Sequence, residues 1–399
     1  MPYLDHAATT PLRDEAFAAM EPFLRAPVGN ASSLHGPGRR ARVAIDTARE
    51  RVARVLGCEP AEVVFTSGGT EADNAALRGT LTGAALRATG RAGLVTTDAE
   101  HEAVRQPALA LAADGHPVTV LAPGSTGSAT ARDVADAITA ETGLVSIMLV
   151  NNELGTVSPV AEIAAVARAA GALVHTDAVQ AAGLYSLDVD ALGVDLLTVT
   201  AHKVGGPVGA GALFVRSGTP FEALVAGGSQ ERGRRGGTEN VAAIVGFACA
   251  LALAEAERET HAARLGGLQQ RLAGRLRAAF GDGIRFNTPL MGFAETGAET
   301  SPHILNVSFR PAHGEPLDGQ MLLVGLDLDG VYVSAGSACT SGALEPSHVL
   351  LAMGLDRETA GATLRFSLGR TTTEADIDAA ADAVERVVAR TIAVAAPTA

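Results

Sequence analysis

Between about residues 60 and 216 the chain alternates short apolar, β-branched runs with Ala-rich stretches of helical period, the rhythm of βαβ units. The runs that predict strands are Glu62 to Thr66, Gly93 to Thr97, Val118 to Leu121, Leu144 to Val150, Ala172 to His175, Asp195 to Thr200 and Ala210 to Val215. Several are apolar at nearly every position, as strands covered on both faces are. Polar, glycine-rich segments follow many of them, at the strand ends where open α/β sheets place their ligands.

Glycine and charge gather from Gly227 to Glu239, and a helical pattern then runs to Phe280 and is expected to carry the chain out of a first domain. Asn287 to Pro302 reads as loop. A strand Ile304 to Phe309, a helix near Leu317 to Asp327, strands near Val331 to Val333 and at Ala362 to Leu368, and a last helix from Glu374 predict a small α+β domain. The expected division is a large domain over 1–258, whose N-terminal segment packs with the small domain, and a small domain over 259–399. The fold class is therefore α/β, a mostly parallel sheet in a large domain with a smaller α+β domain.

Composition narrows the function. The 399 residues are 47% apolar and 19% charged, a globular balance. A net charge of −13 excludes nucleic acid and anionic membrane as obligatory partners, since either needs a concentrated basic face. The longest apolar run, Val241 to Ala254, suits a buried helix better than a membrane span, and the first residues have no signal-peptide pattern. Cys58, Cys249 and Cys339 are too dispersed for a disulfide framework or a zinc site, so a reducing cytoplasm is expected and no metal.

Three strand ends carry candidate chemistry. Ser67-Gly68-Gly69-Thr70-Glu71 joins a strand to an Ala-rich helix, where inward-turned amides, a hydroxyl and the helix N-terminus make an anion cradle. It lacks the Lys of a Walker loop and the spacing of a dinucleotide fingerprint, which disfavours a nucleotide. Singly, Asp177 reads as a helix cap and Lys203 as a surface charge. Together, an Asp at one buried strand end and a Lys at the next, beside a phosphate cradle, suit a protonated pyridine nitrogen and a Schiff-base lysine.

With these residues in order, the chain resembles the cysteine desulfurases of the NifS/IscS type, class-V aminotransferase-like enzymes of fold-type I that use pyridoxal 5'-phosphate. The blocks that carry the resemblance include Leu4 to Thr10, Gly29 to His35, Ser67 to Glu71, Glu100-His101 and Val150 to Gly155. It continues through Asp177 and Lys203, Gln230 to Asn240, Ser334 to Gly342 and Arg365 to Arg370. The resemblance implies that Lys203 holds the cofactor covalently, that Asp177 keeps its ring nitrogen protonated, and that His101 stacks on the ring and exchanges protons. It implies that Gly69, Thr70, Thr200 and His202 hold the phosphate, with Thr200 where the family usually has Ser. Asn152 and Gln180 would contact the ring hydroxyl region, Asn152 would also touch substrate, and Arg365 would pair with the substrate carboxylate. Thr238 would reach the cofactor of a second subunit, so a homodimer is expected.

Cys339 sits among small residues, Gly336 to Gly342, in a segment suited to a loop, whereas Cys249 fits a buried apolar helix and Cys58 a helix end. The resemblance implies that Cys339 takes sulfur from L-cysteine as a persulfide, leaving L-alanine. It further implies delivery to an acceptor such as an iron-sulfur scaffold or a tRNA-thiolation enzyme. Which acceptor, whether selenium is discriminated, and whether Cys339 lends a ligand to a cluster on a partner stay open. The rival readings are a class-V aminotransferase or selenocysteine lyase on the same scaffold, and a non-enzymatic assembly scaffold.

Overall fold

The structure is a computed structural model that describes residues 1–25, 29–294, 298–309, 317–335 and 345–395. Seven strands form one sheet: β1 (Val63–Thr66), β2 (Gly93–Thr97), β3 (Val118–Leu121), β4 (Thr142–Ser146), β5 (Leu173–Asp177), β6 (Leu196–Thr200) and β7 (Gly211–Val215). Their order is β1-β7-β6-β5-β4-β2-β3. Only β7 runs against its neighbours β1 and β6, and the other pairs are parallel, so the sheet is mostly parallel as expected.

Alternate residues of these strands feed opposite faces. Val63, Phe65, Leu197 and Phe214 join a core with the helices Gly36–Leu56, Val160–Ala169 and the start of Val241–Phe280. Val64, Leu94, Leu196 and Leu213 join a second core with the helices Gly69–Leu81 and Glu102–Ala113. That double cover explains the continuous apolar runs. The exception is β3 at the sheet edge, where Thr119 and Val120 are exposed.

Three more strands, β8 (Ile284–Phe286), β9 (Ile304–Phe309) and β10 (Thr363–Ser367), form an antiparallel sheet in the order β10-β9-β8. The helix Val241–Phe280 spans 40 residues, about 60 Å. Its first part buries Val241 to Ala254 in the large-sheet core, and its second part buries Leu265 to Leu276 against the small sheet. A Cβ on Gly246 would lie 2.5 Å from Met20 Sδ on the helix Asp14–Arg25, so a larger residue there would force that side chain to move. Leu4, fully buried, belongs to the small-sheet core, and Tyr3 and Asp5 bridge Tyr332 and Ser367. Among the described residues no helix is long and apolar enough to cross a membrane.

Two expectations are corrected. The predicted strand near Val331 to Val333 makes isolated bridges and no ladder, from Tyr332 to Tyr3 and from Ser334 to Arg365, because its partner changes from the N-terminal segment to β10 within two residues. The run Leu144 to Val150 is not all strand. Regular strand ends at Ser146, and the buried Ile147 to Val150 continue beside β5, with Ile147 N and Leu149 N donating to His175 O and Asp177 O.

Candidate active site

Strands β1, β2, β4, β5 and β6 end at one edge of the large sheet, and the segments that follow those ends wall a cleft of about 730 Å³. Gly69 and Thr70 enter it after β1, His101 after β2, Asn152 after β4, and Asp177 and Gln180 at and after β5. Thr200, His202 and Lys203 enter at the end of β6, and Arg365 comes from β10 of the small sheet. Ten residues singled out in the sequence thus share one cleft.

At the cradle, the helix Gly69–Leu81 begins without a side-chain cap, so its first amides have no side-chain acceptor. A Cβ on Gly69 would meet Val179 Cγ2 at 3.1 Å, a tight contact, so glycine eases the close approach of this turn to the segment after β5. Thr200 donates its hydroxyl to Ala210 O at 3.2 Å. His202 Nδ1 lies 3.2 Å from Thr9 Oγ1, and burial, then the charge of Lys203, lowers its pKa to about 4.

Asp177 is buried, and one carboxylate oxygen accepts from Val179 N at 2.9 Å. Burial raises its pKa against the opposing pull of His101 and Lys203. Lys203 Nζ donates to Ala7 O and, at 2.8 Å, to Ala8 O. Burial and then the Arg365 guanidinium lower its pKa to about 8. His101 caps the helix Glu102–Ala113, with Nδ1 accepting from Ala103 N at 3.1 Å. Its ring is open to the cleft, and the surrounding walls lower its basicity while Asp177 opposes them.

Asn151 turns the chain by donating to Ala99 O and accepting from Glu153 N and Leu154 N, which presents Asn152. Asn152 Oδ1 is buried without a hydrogen-bond partner. Gln180 donates from Nε2 to Ala7 O at 3.0 Å, and its Oε1 lies 3.1 Å from His303 Nε2, so its amide is held from both ends. Arg365 donates to Asn152 O and to Asp5 Oδ1, both at 2.9 Å.

Two predicted residues stand apart. Thr238 is exposed and lines a separate hollow beside Thr66 and Ser67, on the other side of the cradle turn. Arg235 ties its loop to the cradle through a two-point pair with Glu71. Cys339 lies outside the described residues, but Ser334 and Glu345, on either side of its segment, line the cleft.

The sequence reading gave no site role to the segment Asp5 to Thr10, which crosses the cleft and supplies the carbonyls of Ala7 and Ala8 to Lys203. It also gave no role to Asp73, one helical turn beyond Gly69, or to Glu100, both buried near Asp177. The four-residue spacing of Gly69 and Asp73 places them on one helix face and was a usable signal.

Residues 2–380 match the family described as Aminotransferase class-V. A cysteine desulfurase IscS from Dictyoglomus turgidum is 42% identical over 386 residues, covering 97% of this chain and 94% of that protein. Among solved structures, a NifS-like protein superposes with a TM-score of 0.87 at 35% identity, covering 98% of this chain and 100% of that one. The structure of SspA in complex with cysteine gives a TM-score of 0.77 at 33% identity, covering 92% of this chain and 99% of that one.

Proposed function

This chain belongs to the class-V aminotransferase family and, within it, to the cysteine desulfurases of the NifS/IscS type, and on that footing we propose that it passes the sulfur of L-cysteine to Cys339 as a persulfide and releases L-alanine. The observation that carries the reading is the convergence of the cradle, Asp177, Lys203, His101 and Arg365 on one cleft.

The residues present fit pyridoxal 5'-phosphate. Uncapped helix amides at Gly69 and Thr70 suit a phosphate, a buried Asp177 whose pKa is raised needs a cationic N–H, and the unpartnered Asn152 Oδ1 awaits a polar group. When bound, that cofactor supplies an electron sink that acidifies the Cα–H of an amino acid. Lys203 Nζ, with a pKa near 8, is partly neutral at physiological pH and can hold the cofactor and then move a proton at the substrate Cα. His101 keeps Nδ1 on the helix amide, which leaves Nε2 to exchange a proton in the open cleft. Thr200 and His202 support the phosphate end, Gln180 the ring hydroxyl side, and Arg365 takes the substrate carboxylate.

At the sulfur step a Cys339 thiolate forms an S–S bond to the substrate sulfur while the substrate Cβ–S bond breaks. The electron pair of that bond stays with the amino-acid carbon, which takes a proton and leaves as alanine. Thr238 of a second copy completes each cofactor site in a homodimer, and the persulfide passes to an acceptor protein for iron-sulfur assembly or tRNA thiolation in the cytoplasm. The change of core along Val241–Phe280 supports dividing the chain into 1–258 and 259–399.

The test is to incubate the protein with L-cysteine and a reductant, expecting equal alanine and sulfide, and without reductant to look for added sulfur on the Cys339 peptide. A requirement for a 2-oxo acid, or sulfur on Cys58 or Cys249 instead, would put the class-V aminotransferase reading ahead. Cys339→Ser should retain the cofactor and lose both sulfur products.

A further inference from the structure

The ion pair between Asp5 and Arg365 joins two groups of different exposure. The Arg365 side chain is 5% exposed and that of Asp5 23%. Removing the partner of a buried charge is strongly destabilising, so the guanidinium must always have an anion, while Asp5 can turn into water at little cost. Asp5 is not needed to position Arg365. The backbone of Arg365 lies in β10, its amide donates to Ser334 O at 2.6 Å, and its Nη1 donates to Asn152 O. Nor does Asp5 need its carboxylate to stay in place. Its own carbonyl accepts from Ala8 N at 3.0 Å, and the next amide, of His6, donates to Ser367 O at 3.1 Å.

Arg365 Nε is buried and has no hydrogen-bond partner, while Nη2 is taken by Asp5. The guanidinium edge that would grip a carboxylate at two points is therefore not available while Asp5 sits there. We propose that Asp5 sets the affinity of the site for carboxylates by holding the place of the substrate carboxylate on Arg365, and that an α-amino acid binds by taking the guanidinium from it. The inference rests on the reading of Arg365 as the carboxylate site. A ligand with an amine and a thiol but no carboxylate makes no exchange and does not meet its cost. Asp5 thereby lowers affinity for every carboxylate ligand by a similar factor and leaves other ligands alone.

The experiment compares the holoenzyme with Asp5→Asn, Asp5→Ser and Arg365→Ala, using L-alanine as the carboxylate probe and cysteamine as the probe without one. Inhibition constants are read against L-cysteine turnover. In parallel, the melting temperature of the cofactor-free protein is followed as propionate is added. The expected result is that both Asp5 variants bind L-alanine about tenfold more tightly, the scale of one charge-assisted hydrogen bond. Cysteamine binding should stay unchanged, and propionate should stabilise the cofactor-free variants more than the wild type. Unchanged or weaker L-alanine binding in both Asp5 variants, with Arg365→Ala still impaired, overturns the exchange and makes Asp5 a positioning residue. Wild-type L-alanine binding in Arg365→Ala overturns the carboxylate reading of Arg365 itself.

Discussion

The depressed pKa of Lys203 has a measurable consequence for cofactor capture. With an ordinary value of 10.5, roughly 0.03% of the amine would be neutral at pH 7, whereas at about 8 the neutral fraction is roughly 10%. The gain in nucleophile is about 300-fold, equivalent to about 3 kcal/mol. Burial is the larger cause and the Arg365 guanidinium the next, with Asp177 and Asp5 opposing. The rate at which cofactor-free protein takes up pyridoxal 5'-phosphate, followed by absorbance, should rise with pH and level off above about 8. Arg365→Gln removes a neighbouring positive charge and should move the inflection upward. The stability of the cofactor-free protein should follow the same linkage. Because the folded value lies below the unfolded one, the folded chain binds fewer protons between about 8 and 10.5, and stability rises with pH over that window. An uptake rate that keeps climbing tenfold per pH unit to about pH 10, where an unperturbed amine would titrate, would refute the reasoning, as would no shift in Arg365→Gln.

Three further outcomes are expected. Glu100 accepts from Met148 N and Thr97 Oγ1, and burial raises its pKa from 4.5 to about 8. Between those values the unfolded chain has lost the proton that the folded chain keeps, so wild-type stability falls as pH rises, and Glu100→Gln, which keeps the acceptor, should gain on wild type from pH 4.5 to 8 in urea denaturation. Glu231 pairs through both oxygens with the buried Arg49 at 2.7 Å and accepts from Phe65 N, so Glu231→Ala strands a buried guanidinium. That should lower stability by about 3–5 kcal/mol in chemical denaturation, and a loss below about 1 kcal/mol would mean that water reaches Arg49. His101→Ala should retain the cofactor absorbance and slow alanine release by about 10² to 10⁴ fold, whereas wild-type rates would reduce His101 to a helix cap.

Much of the architecture was legible because the relevant forces are local. The limits of β2, β3 and β9 match the runs that predicted them, since each is built mainly of β-branched or apolar side chains, with Asn306 and Ser308 the polar exceptions in β9. β8 went unread because its three residues, with Arg285 in the middle, are too few to show a period. The site residues at the ends of β5 and β6 were legible for a related reason. A charged group at the end of an apolar run is conspicuous, and strand ends on one edge of a parallel sheet converge wherever the fold is of that kind.

What stayed hidden depends on atoms that every residue carries or on contacts far apart in the chain. Lys203 is held by the carbonyls of Ala7 and Ala8, some 196 positions away, and a main-chain carbonyl leaves no mark in a sequence. The Asp5–Arg365 pair spans 360 positions, and neither residue announces the other. Residue types and their spacing are enough to specify which strands form and which side chains stand at their ends, because propensity and burial act within a few residues. The partner of each charged group, and with it the pKa of Lys203 and the occupied arm of Arg365, is set only when the N-terminal segment and the small sheet close on the large one, because electrostatic energy depends on distances that folding alone creates.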